Sequence, residues 1–423
     1  MKGGDVMKPR AKWTSLFFGF FSLFFISIFL VFLSIPILAQ NESSGSSRIY
    51  VDITSPGQKK LQVLFYYSGR GSDEIKSYLE KDLDVYGIFL PLFTSSKLSM
   101  DDVRLIGAVL YVEYNVSLEG DSLITDLKIY SSESGEKIFE KILKAKSNEP
   151  FMVAHRIADI IYELITGRKG LLGREIVAVR KIGGGNEILL VDPGTRTYRR
   201  VLYSTNPILS PSFSPDRSKI IFSMMVHGDF DIYELELATG KYRKVCSTPG
   251  PDSTPVYSPD GSRIAFTGYK GAEGGIFLCD PKTGKVTPLI VERGVINTSP
   301  TWSPDGRELA YVSNRAGHPS IYIYDFSSNR IRRITAGRYD VDPDWSPDGE
   351  KIIYSSMEGG WFLRVYYLKT GNIVLLGNGE DPSFSVNSDY IVYVKGGNLF
   401  IRSLYGSIEV RVATGYWQNP YWR

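Results

Sequence analysis

The chain has 423 residues, 43% of them hydrophobic, and a formal charge of +3. This is the make-up of a globular protein, long enough for one large all-β unit beside a smaller domain. Lys2, Lys8, Arg10 and Lys12 against Asp5 carry the whole excess charge, so the body is neutral and offers no electrostatic case for nucleic acid.

Two cysteines, Cys246 and Cys279, exclude a disulfide scaffold. They read as two buried thiols in strands, or as a single bridge in an oxidising compartment.

The basic first dozen residues precede a mostly apolar run at 16–38, followed by Ala39. Residues 1–39 thus have the pattern of an export signal, either cleaved near Ala39 or kept as a single-span anchor. In both readings the body is exported. Residues 40–47 (QNESSGSS) read as a flexible tail.

From residue 48 strand and helix signals mix. Alternation at 49–53 and the apolar run at 61–67 read as strands. Ser72-Asp73-Glu74 starts a helix with an acidic first turn. Residues 108–114, 122–130 and 137–144 read as an antiparallel meander turning at Gly120 and Gly135. Asn148-Glu149-Pro150 opens a helix with the apolar stripe Val153, Ile157, Ile160, Ile161 and Leu164, ended by Gly167. Residues 48–170 are expected to form a small α/β domain, a sheet with helices covering one face. There is no phosphate loop. His155 has no nearby Cys or second His and reads as a packing or capping residue.

The remainder, 171–423, repeats. Pro211, Pro255, Pro300, Pro343, Pro382 and Pro420 recur about every 40 residues, the period of a four-stranded propeller blade. Ser-Pro-Asp-Gly at 258–261, 303–306 and 346–349 makes the turn between first and second strands. Pro presets φ, Asp bonds back to the backbone, and Gly supplies the positive φ. Thr-Gly pairs at 239–240, 283–284 and 370–371 turn between third and fourth strands. Residues 175–178, 187–191 and 198–203 are strands two to four of a repeat without a strand one. Residues 418–422 are a strand one with nothing after it. Joined, they make a sixth blade, so the expected fold is mixed: an α/β domain followed by a six-bladed β-propeller closed by a C-terminal strand. Trp302, Trp345 and Trp422, with Phe213, Tyr257 and Phe384, share one repeat position and are expected between blades.

Strand direction alternates, so the Ser-Pro-Asp-Gly and Thr-Gly turns share one face. The longer, polar loops share the other, and the segments leading into each first strand carry Asn206, Asp252, Asn297, Asp340, Asp342, Asp381 and Asn419 near the central channel. Turn-forming is one reading of these residues; a channel mouth that binds a partner is the other, with the residues just before each first proline the informative ones. His227 and His318 lie on the same loops, but two histidines alone do not make a metal site.

This arrangement resembles the TolB family. The resemblance rests on Val51-Asp52-Ile53-Thr54, on Ala154-His155-Arg156-Ile157-Ala158-Asp159 followed by Leu164-Ile165-Thr166-Gly167 and Lys169-Gly170, and on the repeats with their terminal strand. It implies a periplasmic, monomeric, non-catalytic scaffold of the Tol–Pal system without cofactor or metal. Such a scaffold would bind a Pal-like lipoprotein through the propeller mouth and support outer-membrane integrity and cell division. Contact of the N-terminal tail with a TolA-like inner-membrane protein is also implied. Two other classes stay open: a propeller hydrolase or lyase, and a ligand- or Ca²⁺-binding propeller. No Gly-x-Ser-x-Gly elbow is present, and three histidines are few for a triad or a multi-histidine metal centre. Asp340 and Asp342 keep a carboxylate-pair chemistry formally possible.

Overall fold

The computed structural model describes residues 59–423, apart from Ala272, Arg338 and Ser407. The expected export segment, the tail and the strand at 49–53 lie outside the described residues. No described helix is long and apolar enough to cross a membrane.

The first layer runs β1 (Leu61–Gly69), α1 (Ser72–Tyr86), β2 (Phe89–Thr94), α2 (Met100–Ile106), β3 (Leu110–Glu119), β4 (Ser122–Ser131), β5 (Lys137–Lys146) and α3 (Pro150–Thr166). The sheet order is β2-β1-β3-β4-β5. Strand β1 is parallel to both its neighbours, and β3 to β5 form the expected meander. Two elements have no counterpart in the sequence reading. Strand β2 is short, apolar and interrupted by Pro91. Helix α2 is too short to show a period, and its signal is a capping box: Asp102 N–H donates to Ser99 Oγ, and Ser99 N–H donates to Asp102 Oδ2.

Helix α2 also corrects the expectation of helices on one face only. Val63 and Phe65 of β1 point towards α1 and α3, whereas Leu64 points the other way, as strand alternation requires, and meets Val103 of α2 together with Tyr111.

The six expected blades form, each a four-stranded sheet. Their inner strands are Ile208–Phe213, Ser253–Tyr257, Asn297–Trp302, Asp340–Trp345, Glu380–Phe384 and Tyr416–Tyr421. The last pairs with Ile176–Ile182, in register Gln418 to Val179, and so completes a blade with Gly185–Val191 and Tyr198–Ser204. Closure leaves no inner edge unpaired. The aromatic at the repeated position of each inner strand packs on the preceding blade. Trp302 lies on Val256, Ala265 and Ile276, and Trp345 on Ala310, Val312 and Ile321.

The α/β layer docks on the face that carries the short turns. One buried cluster runs from Val63 and Ile157 to Tyr390, Val392 and Trp417 of the propeller. Tyr86 stacks on Tyr162 with ring centres 4.3 Å apart, and Tyr390 Oη donates to the Tyr86 carbonyl at 2.8 Å. Tyr162 Oη donates to Asp389 at 3.0 Å, and Arg168 pairs with the same carboxylate.

His155, read from sequence as a packing or capping residue, proves to join the two parts ionically. Its Nδ1 lies 2.9 Å from Asp82 Oδ2 on α1, and its Nε2 lies 3.0 Å from Asp192 Oδ2 in a propeller turn. Gly194 follows in that turn because a Cβ there would overlap both Asp82 and the imidazole. Burial pulls the imidazole pKa down, but the hydrogen bonds to Asp192 and Asp82 outweigh it and raise His155 to about 10. A raised histidine pKa stabilises the fold fully below about 6.5 and loses that contribution as pH rises through the folded value. His155→Gln is therefore expected to cost about 3 kcal/mol at pH 7, since it leaves two carboxylates without their cation. Thermal melts from pH 7 to 10.5 should show the wild type converging on the variant; a pH-independent gap would contradict the ionic role.

Cys246 and Cys279 are joined in a disulfide, against the reading as two separate buried thiols. Cys246 ends the fourth strand of one blade and Cys279 ends the third strand of the next, so the bridge crosses a blade boundary. Cys246→Ala with Cys279→Ala should lower the unfolding free energy by about 3 kcal/mol. Urea titration with and without reductant checks this, because reductant should weaken the wild type alone.

Candidate functional site

The channel is built by a backbone device repeated six times. Each inner strand carries a proline, which cannot donate to the neighbouring strand, and the register of pairing shifts there in every blade. The residue just before each proline takes a left-handed φ: Ser210 50°, Thr254 50°, Ser299 52°, Asp342 51°, Asp381 51° and Asn419 45°. None is glycine, and the residue before a proline is sterically disfavoured in helical conformations, so the strain is real. The kink aims six side chains inward. With the prolines and the residues after them they line a recess of about 120 Å³ on the long-loop side.

The seven residues singled out in the sequence fall into two groups. Asp342, Asp381 and Asn419 immediately precede their prolines and line this recess. Asp252, Asn297 and Asp340 stand two positions earlier, are buried, and turn into their own blades. Asp252 closes a turn by accepting from Thr248 N–H and Oγ at 2.8 and 2.7 Å. Asp340 accepts from Ser356 Oγ at 2.8 Å and from Gly337 N–H at 3.0 Å. Asn297 Oδ1 accepts from Arg315 at 3.3 Å. Asn206 is exposed on its loop, where its N–H donates to Ser204 Oγ. Ser210, Thr254 and Ser299 are channel residues absent from the seven. Their signal is positional: each stands immediately before a repeat proline, and their neutral side chains hid it. His227 and His318 belong to no cluster of metal-ligating side chains among the described residues.

The mouth is acidic on one side. Asn419 donates to Asp381 Oδ2 from its backbone N–H at 2.9 Å and from Nδ2 at 3.2 Å, while its Oδ1 accepts from Ser210 N–H at 3.2 Å. Asp342 finds no hydrogen-bond or ion-pair partner among the described residues. Burial, then the carboxylates of Asp381 and Glu380, push its pKa well up; burial raises Asp381 too. Deeper in, Arg423 lies across the bore. It pairs with Asp344 at 2.9 Å and donates to the Trp345 carbonyl at 2.7 Å, and it borders recesses on both sides.

A strained, half-buried, unpartnered carboxylate is a cost that folding alone does not explain. An acid whose pKa is raised in the folded state weakens the fold above its unfolded pKa near 3.9. Asp342→Asn should therefore stabilise by about 1–3 kcal/mol at pH 8 and by nothing measurable at pH 4. Denaturant melts at the two pH values check it.

An α/β layer on the turn face of a closed six-bladed propeller, with a polar mouth on the other face, defines the class of protein. A family model described as the TolB beta propeller domain matches residues 162–423, well over half of the chain. The chain belongs to that family, as its resemblance implied. It is similar to the Tol-Pal system protein TolB of Syntrophotalea carbinolica, 26% identical over 42% of this chain and 46% of the relative. The corresponding protein of Legionella pneumophila is 29% identical over 37% of this chain and 39% of the relative. The chain thus spans less than half the length of these relatives. The crystal structure of TolB from Acinetobacter baumannii superposes with a TM-score of 0.79 over 86% of this chain and 97% of that one, at 23% identity, a likeness of fold.

Proposed function

We propose that this chain is a non-catalytic interaction scaffold of a Tol–Pal system, working in the periplasm. It would bind a Pal-like, peptidoglycan-associated lipoprotein at the long-loop mouth of the propeller and so support outer-membrane integrity and cell division. The observation that carries this reading is the ring of six left-handed residues with Asp342 unpartnered at its acidic side. Such a mouth is preorganised to accept donor groups from a partner without rearranging. Family membership supports it, as do relatives named as Tol-Pal system proteins. The disulfide suits an oxidising compartment. Contact of the N-terminal tail with a TolA-like protein belongs to the same proposal.

The paired Asp342 and Asp381 also carry a second reading, a hard divalent cation on two carboxylates and channel oxygens. No group of three or more metal-ligating side chains assembles among the described residues, so a partner's own donors fit the mouth better.

Affinity capture from an envelope extract tests the proposal. Wild-type protein should recover a lipoprotein, and Asp342→Lys should weaken its binding by at least about tenfold, because it puts a cation where the mouth offers an acceptor to the partner's donors. Asp252→Asn, altered away from the recess, should bind as wild type. Recovery of no lipoprotein, or equal recovery with Asp342→Lys, would sink the reading. Calorimetry with Ca²⁺ alone separates the cation reading.

A further inference from the structure

Each of the six blades ends in an outer strand with one side unpaired. A bare strand edge recruits other strands, and proteins guard it with charge or proline. Five of the six outer strands are guarded. Tyr198–Ser204 carries Arg199, Tyr242–Cys246 carries Lys244, Arg330–Arg333 carries Arg332 and Glu409–Ala413 carries Arg411, while Val286–Ile290 is broken by Pro288. The edge strands of the α/β sheet follow the same rule, with Pro91 in β2 and four lysines in β5.

The fourth blade is the exception. Its outer strand, Ile373–Asn378, reads Ile-Val-Leu-Leu-Gly-Asn, with neither charge nor proline. It pairs on one side with Trp361–Tyr367, Val374 opposite Val365. Towards its end the next blade covers it, because Arg402 donates to the Leu376 carbonyl. Before that point it is bare. Ile373, Val374 and Leu375 are 44%, 42% and 54% exposed, and no group outside the blade hydrogen-bonds them among the described residues. None of the three belongs to the apolar clusters on either side of the blade, which Tyr366 and Leu376 join. The buried contacts of the α/β layer are with the fifth and sixth blades, so they do not reach this edge.

A strand that covers such an edge should itself bring neither charge nor proline. A second copy of the same edge meets that condition by construction. Paired antiparallel about a two-fold axis at Val374, it sets Val374 against Val374 and Ile373 against Leu375, with no charge facing charge. We propose that the outer strand of the fourth blade is a self-association edge, pairing two copies of this chain through Ile373–Leu375 and joining two four-stranded blades into one sheet. Three residues make a small contact, so the pair stands in equilibrium with the monomer that the family resemblance implies.

Sedimentation velocity of the purified protein from about 10 µM to about 1 mM tests it. The wild type should shift from monomer towards dimer as concentration rises. Val374→Lys and Val374→Glu, at an exposed position, should each weaken association at least about tenfold, because like charges then face each other across the axis. Mixed one to one, the two variants should form a dimer again, since Lys then faces Glu; a merely damaged edge would not recover. A wild type that stays monomeric throughout would leave the edge to a foreign strand and overturn the proposal. Variants that dimerise as the wild type does would place the contact elsewhere and overturn it too. Failure of the mixture to form a dimer would overturn the pairing about Val374.

Discussion

A proline has no N–H to give, and six of them stand at the same place in six inner strands. Everything distinctive about the channel follows from that missing donor. Pairing with the second strand breaks at the proline, the preceding residue swings to a left-handed φ, and its side chain is aimed at the axis. Six repeats impose the geometry, while the side chains on it are free to differ. Blades thus share a backbone and differ in the side chain each turns to the channel, namely Ser210, Thr254, Ser299, Asp342, Asp381 and Asn419.

The α/β layer is fastened to the propeller by a different principle. There the core does not stop at the boundary. Tyr86 and Tyr162 stack and Tyr390 meets both edge-on across it, and each hydroxyl is tied to a carboxylate or carbonyl. Beside it His155 sits between Asp82 and Asp192, and Arg196 pairs with Asp84. Apolar contact supplies adhesion and the buried charges fix orientation, since a buried imidazolium without both carboxylates is costly. The long-loop mouth is left clear because all these contacts fall on the turn face.

Where periodicity and turn chemistry dominate, the sequence was readable. Blade number, the split sixth blade and helices α1 and α3 all follow from spacing and from Gly, Pro and Asp at fixed offsets. Short elements were not readable: β2 is interrupted by Pro91, and α2 has barely two turns. The site was half legible. Asp342, Asp381 and Asn419 were visible as polar residues before a proline. Asp252, Asn297 and Asp340 are the same residue types two positions away, and no pattern of side chains distinguishes them. The distinction lies in a backbone kink that depends on three-dimensional pairing. Arg423 was invisible for the same reason, as it takes its meaning from Asp344, which it faces in the bore. The disulfide is a contact between blades, and sequence offered both a bridge and free thiols.

The sixth blade has a kinetic consequence. Its inner strand, Tyr416–Tyr421, pairs with Ile176–Ile182, so the ring cannot close until almost the whole described chain is present. Before that moment the blades form an open arc, with Ile176–Ile182 lacking its inner neighbour and the wall of the fifth blade lacking Trp422. Pairing across so long a separation is slow to find and exposes strand edges while it is sought. The arc is therefore the state in which this chain is most prone to aggregate, and the last inner strand acts as its latch.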